Sequence, residues 1–304
     1  MPTLPTFRKM VGDLSNPKLL VAYFLGFLPV LLILSMAIAG TTFENVAEMT
    51  ITEQENRLYA AYIAMAYLWG IGIPLLVYGG ILNALTLAKE AENGTLGLLL
   101  SKPIRRREVL LASFSAVVIV MILVATTNLL LVGLFLYMHS GVSAGAIGAG
   151  IFAALPAAVV TGVLFALFMT AYGTLLAVLT RDRLRTAVGV LAVPALFLAF
   201  MIFRLFASDI YSDYGVYVVD INHHFGSAYV YLLETLGTPL DLQAEQQLSI
   251  WTGAYEYKGG TAEELPDSFE LLGFDPAISA ALLLVAAVLM LGVAAFRFER
   301  LDLS

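Results

Sequence analysis

The fold of this chain is decided by one stretch without a charged residue, VLLASFSAVVIVMILVATTNLLLVGLFLYMHSGVSAGAIGAGIFAALPAAVVTGVLFALFMTAYGTLLAVLT, which runs from Val109 to Thr180. A helix needs about 20 apolar residues to cross a membrane, so this stretch is too long for one crossing. Small residues between His139 and Gly145 divide it into two predicted spans. Membrane β-strands would instead be segments of about 10 residues with alternating polarity. The sequence therefore predicts an all-α integral membrane protein.

Further apolar runs bring the prediction to six transmembrane helices. The first run follows a basic N-terminal segment, but it has full spanning length and lacks a convincing cleavage site, so we interpret it as a span rather than a signal peptide. The runs are Leu19–Ala39, Tyr59–Leu87, Thr186–Phe203 and Pro276–Phe296.

The composition excludes several classes of protein. Of the 304 residues, 60% are hydrophobic and 13% are charged, whereas soluble domains are about 25% charged. The chain has no cysteine, which excludes disulfides, zinc–thiolate sites, iron–sulfur clusters and cysteine nucleophiles. Three histidines and a net charge of −7 argue against a haem or multi-histidine metal site and against binding to nucleic acid.

The distribution of basic residues predicts the orientation. Thirteen of the sixteen Lys and Arg residues lie on one set of connecting segments, and the opposite set holds only Arg57, Arg204 and Lys258. The positive-inside rule then places both termini in the cytoplasm of a multi-pass protein of the cell (plasma) membrane. The basic residues expected to anchor this topology at the lipid headgroups are Arg105, Arg106, Arg107, Arg181, Arg183 and Arg185.

A long segment between spans 5 and 6, residues 207–275, is predicted to be a small extracellular cap, and we call it the cap. It holds twelve acidic residues and many aromatic ones. Its charge fits either a solvated, salt-adapted surface or an acidic funnel for a cationic ligand. Two amphipathic helices are expected, over Ala228–Leu236 and Pro239–Ile250. We place His223 and His224 in an aqueous loop before the first of them and predict no metal site there.

The cytoplasmic stretch from Lys89 to Glu108 carries the clearest local signal. Gly94 predicts a helix stop, and Thr95 can cap a new short helix. Leu96 begins an apolar face on that helix, and Pro103 ends it. A short helix held between spans 2 and 3 would act as a lever, because force applied to it moves both spans.

These residues resemble the cytoplasmic signature of type-2 exporter permeases of the ATP-binding cassette (ABC) transporters, the ABC-2 family. An N-terminal amphipathic helix, six spans and a large segment between spans 5 and 6 also suit that family. The matching positions are Glu90, Glu92, Gly94, Thr95, Leu96, Ser101, Pro103, Ile104, Arg106, Glu108, Val109 and Leu110.

The resemblance implies a permease subunit without its own catalytic site. ATP and Mg would be bound by a separate cytoplasmic ABC ATPase, and two permease copies would assemble as a homodimer or pseudo-dimer. By the same resemblance, Glu90–Leu100 is a coupling helix that docks on the ATPase, and Phe7–Lys18 is an interface helix along the inner leaflet. Met10 follows Lys9 where family members often have an acidic residue, so no ion pair is carried over. The coupling residues implied are Glu90, Glu92, Gly94, Thr95, Leu96, Pro103 and Arg106.

The spans and the resemblance together divide the chain into four parts. Residues 1–18 form a cytoplasmic amphipathic helix, and residues 19–206 hold transmembrane helices 1–5 with the coupling helix near 88–108. Residues 207–275 form the cap, and residues 276–304 form transmembrane helix 6 and a cytoplasmic tail.

Polar residues inside the spans have two interpretations. They form hydrogen bonds between helices or contact substrate along a translocation path; the candidates for such a path are Asn83, Thr127, Asn128 and Tyr172. No span has a central charged residue, and no Walker lysine loop or protease motif is present. The sequence thus favours a transporter powered by a partner. The alternative is a non-transporting module that passes ATPase-driven motion to an extracellular partner. Apolar spans suit lipids or hydrophobic substrates, and the acidic cap suits cations.

Overall fold

The computed structural model describes residues 3–95, 105–237, 239–258 and 268–300. These residues form helices, apart from one small sheet and the connecting turns. In chain order the elements are α1 (Thr3–Leu14), α2 (Pro17–Thr42), α3 (Ile51–Met65), α4 (Ile73–Asn83), α5 (Lys89–Glu92), α6 (Arg106–Ser140), α7 (Leu155–Thr180), α8 (Arg183–Phe206), α9 (Ser208–Asp213), α10 (Ile221–Leu236), α11 (Leu242–Thr252), β1 (Tyr255–Lys258), β2 (Ser268–Leu271) and α12 (Pro276–Glu299).

Six helical segments in the described residues are long and apolar enough to cross a membrane. This confirms the predicted all-α membrane fold. Spans 1, 3, 5 and 6 are α2, α6, α8 and α12, while span 2 covers Ile51–Glu92 and span 4 covers Ala144–Thr180. The break predicted after His139 is present, because α6 ends at Ser140 and Gly141 takes a left-handed conformation with φ +69°.

Span 2 is the centre of the bundle. Its most apolar window is 78% buried, compared with 17% for span 1. Two wider π-type turns, Ala66–Gly72 and Ala84–Ala88, divide it into α3, α4 and α5. At Gly72 an added Cβ would lie 2.5 Å from the carbonyl oxygen of Tyr67, so the first turn requires glycine at this position.

Helix starts follow from local capping. Thr50 and Glu53 form a capping box, in which the backbone N–H of Glu53 donates to the Thr50 hydroxyl and the N–H of Thr50 donates to the Glu53 carboxylate. Asp275 caps α12 by accepting from the N–H of Ala277 at 2.8 Å. These caps set where spans 2 and 6 begin.

The N-terminal helix is α1, Thr3–Leu14, earlier in the chain than the predicted Phe7–Lys18. Pro17 starts a new helix with Asn16 as its cap, so α1 cannot continue to Lys18. Met10 and Leu14 are buried one turn apart, and α1 packs against α6. The buried side of α1 therefore lies against span 3.

The cap contains α9, α10, α11 and the antiparallel pair of β1 with β2, in which Tyr255 faces Leu271. Helix α10 packs on both α7 and α12. It begins at Ile221, so the prediction that His223 and His224 lie in an aqueous loop is wrong: both are helical, and His223 is fully buried. Asp220 starts the helix early by accepting from the N–H of Asn222 at 2.7 Å.

Candidate functional site

The candidate site lies at the end of the bundle that carries Lys89, Arg105–Arg107, Arg181–Arg185 and Arg297; we call it the basic end. Here span 2 ends in α5, and Gly94 turns the chain with φ +69°. The N–H of Gly94 donates to the carbonyl oxygen of Ala91 at 3.1 Å. The predicted helix stop is therefore present, and its left-handed conformation explains why glycine is used.

The hydroxyl of Thr95 donates back to the carbonyl oxygen of Glu90 at 3.2 Å and also to the Glu90 carboxylate. Thr95 follows the turn at Gly94 and is therefore bonded to Glu90, which precedes that turn. Residues 96–104 lie outside the described residues, and they include Leu96, Pro103 and most of the short helix predicted between Thr95 and Pro103.

Glu92 joins span 2 to the start of span 5. Its Oε2 accepts from the Nε of Arg183 at 2.8 Å and from the backbone N–H of Arg183 at 3.1 Å, while Oε1 accepts from Nη2 at 3.1 Å. The carboxylate therefore meets both a guanidinium fork and the N-terminus of α8, two features that favour a negative charge.

Glu90 contacts the N-terminal helix. Its Oε1 lies 3.6 Å from the Nζ of Lys9. The sequence predicts no ion pair for α1, so this contact is a finding of the tertiary structure. The partner of Lys9 is distant in sequence, and no local pattern could have indicated it.

The arginines predicted as topology anchors take different places. Arg107 donates to the Glu299 carboxylate with Nη2 at 2.8 Å, and Arg106 donates to the backbone carbonyl oxygen of Glu299 at 3.0 Å. These bonds join the start of span 3 to the end of span 6. Arg105 precedes α6, and Arg181 ends α7 with φ +53°. The N–H of Arg185 donates to Asp182 at 2.7 Å.

The four candidate path residues bond within or between helices. Asn128 donates to the Tyr23 hydroxyl at 2.6 Å and to the carbonyl oxygen of Gly70 at 2.9 Å, so it links spans 1, 2 and 3. Tyr172 donates to the carbonyl oxygen of Gly189 on span 5. Asn83 donates to Gly79 O and Thr127 donates to Leu123 O, each within its own helix.

At the opposite end, the cap holds a buried polar cluster that the sequence analysis missed. The carboxylate of Asp220 accepts from the Tyr211 hydroxyl at 2.7 Å and lies 3.4 Å from Nη1 of Arg204. Arg204 also donates to the carbonyl oxygens of Thr252 and Ile250, at the C-terminus of α11. Arg204 directly follows the apolar run of span 5. A charged residue at that position is the feature of the sequence that could have indicated this cluster.

Three more residues, Tyr67, Asn222 and His223, belong to this cluster. The hydroxyl of Tyr67 on span 2 donates to the side-chain oxygen of Asn222 at 2.6 Å. The Nδ1 atom of His223 lies 2.9 Å from the carbonyl oxygen of Gly253. Because a carbonyl oxygen only accepts hydrogen bonds, this Nδ1 carries a proton. Burial lowers the pKa of His223 to about 4, which keeps the ring neutral at physiological pH. Burial also raises the pKa of Asp220, against the opposing effects of Tyr211 and Arg204.

A family model described as ABC-2 family transporter protein matches residues 18–303. The match begins with span 1 and extends through the cap and span 6. No curated protein matches the chain.

Proposed function

The chain belongs to the ABC-2 family of transporter proteins, and we propose that it is the permease of an exporter powered by a separate ABC ATPase. Family membership makes it a multi-pass membrane component of an ABC transporter. The outward direction, the ATPase that binds ATP and Mg, and the pairing of two permease copies belong to the proposal. No catalytic residue is assigned to this chain.

The observation that carries the proposal is the set of contacts made by Glu90 and Glu92, which directly precede the glycine turn at Gly94. A displacement of the segment after Gly94 would reach span 2 directly. It would reach span 5 through Arg183 and α1 through Lys9. One point of contact with an ATPase would thus move several helices together.

The coupling residues in this proposal are those of the family signature. Glu90, Glu92 and Gly94 shape the turn, and Arg106 ties span 3 to span 6. Thr95, Leu96 and Pro103 belong to the segment proposed to contact the ATPase. Because Glu90 and Glu92 have partners within the chain, we assign the carboxylates to holding the lever in place, and its docking to the segment that follows.

The orientation is tested by labelling introduced cysteines, since the chain has none of its own. Ser227 of the cap is buried in α10 and does not suit such labelling. Thr235 and Asn93 are exposed at the two ends. A membrane-impermeant thiol reagent added to intact cells should label Thr235→Cys and leave Asn93→Cys unlabelled. The reverse pattern would overturn the proposed topology.

The ATPase partner is tested by purification from native membranes. We expect this chain to purify in a complex of two permease subunits, as a homodimer or a pseudo-dimer, with two copies of an ABC ATPase, and we expect no ATP hydrolysis by the chain alone. A stable monomer that carries no nucleotide-binding protein would contradict the exporter proposal.

A second candidate function is a module that passes ATPase-driven motion to a partner at the cap. It is favoured by the bonds that join the cap to span 2 through Tyr67 and to span 5 through Arg204. ATP-dependent movement of a compound into inverted vesicles would support the exporter. ATP hydrolysis that requires a cap-binding partner, without any transported compound, would support the second candidate.

A further inference from the structure

A cavity of about 250 Å³ lies at the basic end, between the last turn of α7 and the last turn of α12. We call it the arginine cavity, because three of its lining residues are arginines and none of the described ones is acidic. The lining residues are Val178, Leu179, Arg181, Phe296, Arg297 and Arg300. The cavity therefore combines a high positive charge with a short apolar wall.

None of the three arginines forms an ion pair within the described ranges of the chain. The ion pairs found there involve other residues. Glu299 belongs to the same end of α12, but its carboxylate binds Arg107. Asp182 directly follows Arg181, but its carboxylate caps the start of α8. Three like charges that line one cavity repel one another, so an anion among them would stabilise the arrangement.

Local structure holds two of the arginines in place. The Cζ atom of Arg300 lies 3.9 Å from the centroid of the Phe296 ring, and such stacking leaves the N–H groups at the edge of the guanidinium available to an acceptor. Arg181 ends α7 in a left-handed conformation with φ +53°, which Gly or Asn usually takes. Backbone preference therefore does not explain an arginine at this position, and its use lies in the side chain.

The charge of the cavity indicates the charge of its ligand. Each helix C-terminus carries about half a negative charge, so the ends of α7 and α12 balance about one of the three positive charges and about two remain. A phosphate monoester carries a charge of about −1.5 to −2 at pH 7, whereas a diester carries about one negative charge. Phosphate oxygens also match the paired N–H donors of a guanidinium group.

We propose that the arginine cavity binds a phosphate monoester group. Arg181 binds it from span 4, and Arg297 and Arg300 bind it from span 6. The ligand thereby joins the ends of two spans that pack along each other. This binding goes beyond the proposed function and does not depend on transport.

The position of the cavity allows two sources for the phosphate group. Helix α12 has 24 residues and rises about 36 Å at 1.5 Å per residue, compared with about 30 Å for the hydrocarbon core. Its last residues therefore reach the level of the lipid head groups on the side of the basic end. A phosphate monoester at this level belongs either to a lipid head group or to a soluble phosphoester.

Thermal unfolding of the purified protein, with any subunits that accompany it, tests both sources. The protein is placed in phosphatidylcholine nanodiscs. One arm adds glycerol 3-phosphate or, for comparison, the diester dimethyl phosphate. The other arm replaces part of the lipid with phosphatidic acid or with phosphatidylglycerol, a diester with the same chains. A ligand that binds the folded state raises the unfolding temperature.

We expect the monoester to act at about tenfold lower concentration, or mole fraction, than its diester counterpart in at least one arm. A response to phosphatidic acid alone identifies a lipid head group as the source, and a response to glycerol 3-phosphate identifies a soluble phosphoester. Either response supports the site. Equal responses to monoester and diester in both arms, or no response in either arm, would overturn the proposal.

Matched variants locate the binding. Arg181→Gln and Arg297→Gln change exposed side chains, so the protein should fold, and each should raise the required concentration of monoester at least fivefold. Arg185→Gln is the control, because it removes the same charge from an exposed residue at the basic end that does not line the cavity, and it should respond like the parent. Equal responses in all three variants would show only a general attraction to the basic end and would overturn the site.

A further variant tests whether the chain itself supplies the anion. Asp302 is the next acidic residue after Glu299 and lies outside the described residues. We expect Asp302→Asn to respond to the monoester like the parent. A response that appears only in Asp302→Asn would overturn the proposal, because a carboxylate of the chain would then occupy the cavity. The measurement needs no ATP hydrolysis, so its outcome is independent of the exporter proposal.

Discussion

The two ends of the bundle are held by ion pairs in opposite environments. At the cap, the side chains of Arg204 and Asp220 are 9% and 0% exposed. At the basic end, the side chains of Arg183 and Glu92 are 43% and 38% exposed, and each of the other two described pairs has one partner more than half exposed.

This difference separates a permanent connection from a reversible one. An exposed ion pair contributes about 0–1 kcal/mol because water and salt screen it. Removing one partner of a buried pair leaves a charge without compensation and costs about 3–5 kcal/mol. The cap end therefore keeps its geometry, while the basic end can rearrange at little cost. The proposed ATPase would move the bundle from its basic end. Such movement requires contacts that can rearrange at that end and a cap end that keeps its geometry.

The largest effect is expected for Asp220→Ala. It leaves Arg204 buried without its anion, so the free energy of unfolding should fall by about 3–5 kcal/mol. Thermal unfolding of the purified chain measures this. Asp213→Ala changes an exposed carboxylate of the same cap and should cost less than about 0.5 kcal/mol. Equal losses in the two variants would contradict a special role for the buried pair.

The next effect is a dependence of cap stability on pH. The pKa of His223 is about 4 in the folded chain and about 6.5 in an unfolded one. The unfolded state therefore binds more protons between these values, and stability falls as pH decreases from about 6.5 to 4, by about 3 kcal/mol in all.

His223→Gln isolates this contribution. The parent should lose thermal stability between pH 6.5 and pH 4.5 more steeply than the variant, which has no ring to protonate. Parallel curves for the two proteins would show that His223 does not titrate as a buried neutral ring.

A smaller effect on stability, with a large effect on coupling, is expected for Gly94→Val. The left-handed backbone at Gly94 should cost a β-branched residue about 1 kcal/mol or more. The spans should remain folded, while stimulation of the partner ATPase is lost. Gly94→Asn is the control, because Asn tolerates this conformation, and it should retain most of the stimulation. Loss of stimulation in both variants would show that coupling requires the absence of a side chain at position 94, rather than the left-handed turn.

The smallest effect on stability is expected for Glu92→Gln. Because water and salt screen the exposed pair with Arg183, the substitution should change the unfolding temperature only slightly, and less still at high salt. A double-mutant cycle with Arg183→Gln, measured by thermal unfolding at low and high salt, gives the interaction directly. A coupling energy near that of the buried Arg204–Asp220 pair would remove the contrast between the two ends.

Much of the fold could be predicted because the membrane imposes it. Apolar runs of spanning length, such as Leu19–Ala39 and Pro276–Phe296, form helices since hydrocarbon offers no other partner for the backbone. Gly94 was predicted as a stop because only a residue without Cβ takes a left-handed conformation freely. The family signature around it was sufficient to indicate the ABC-2 family, which the match over residues 18–303 confirms.

The sequence by itself determined the six spans, the turn at Gly94 and the family, because these depend on local hydrophobicity and backbone preference. The tertiary structure alone decided that Asp220 meets Arg204, that Glu92 meets Arg183 and that Lys9 meets Glu90. These three pairs join positions up to 91 residues apart. The local sequence around a charged residue does not indicate which distant residue will pair with it, because the partners meet only when the helices pack. The cap helix was likewise predicted too short, since the polar run before Ala228 is buried only by its contacts with the spans.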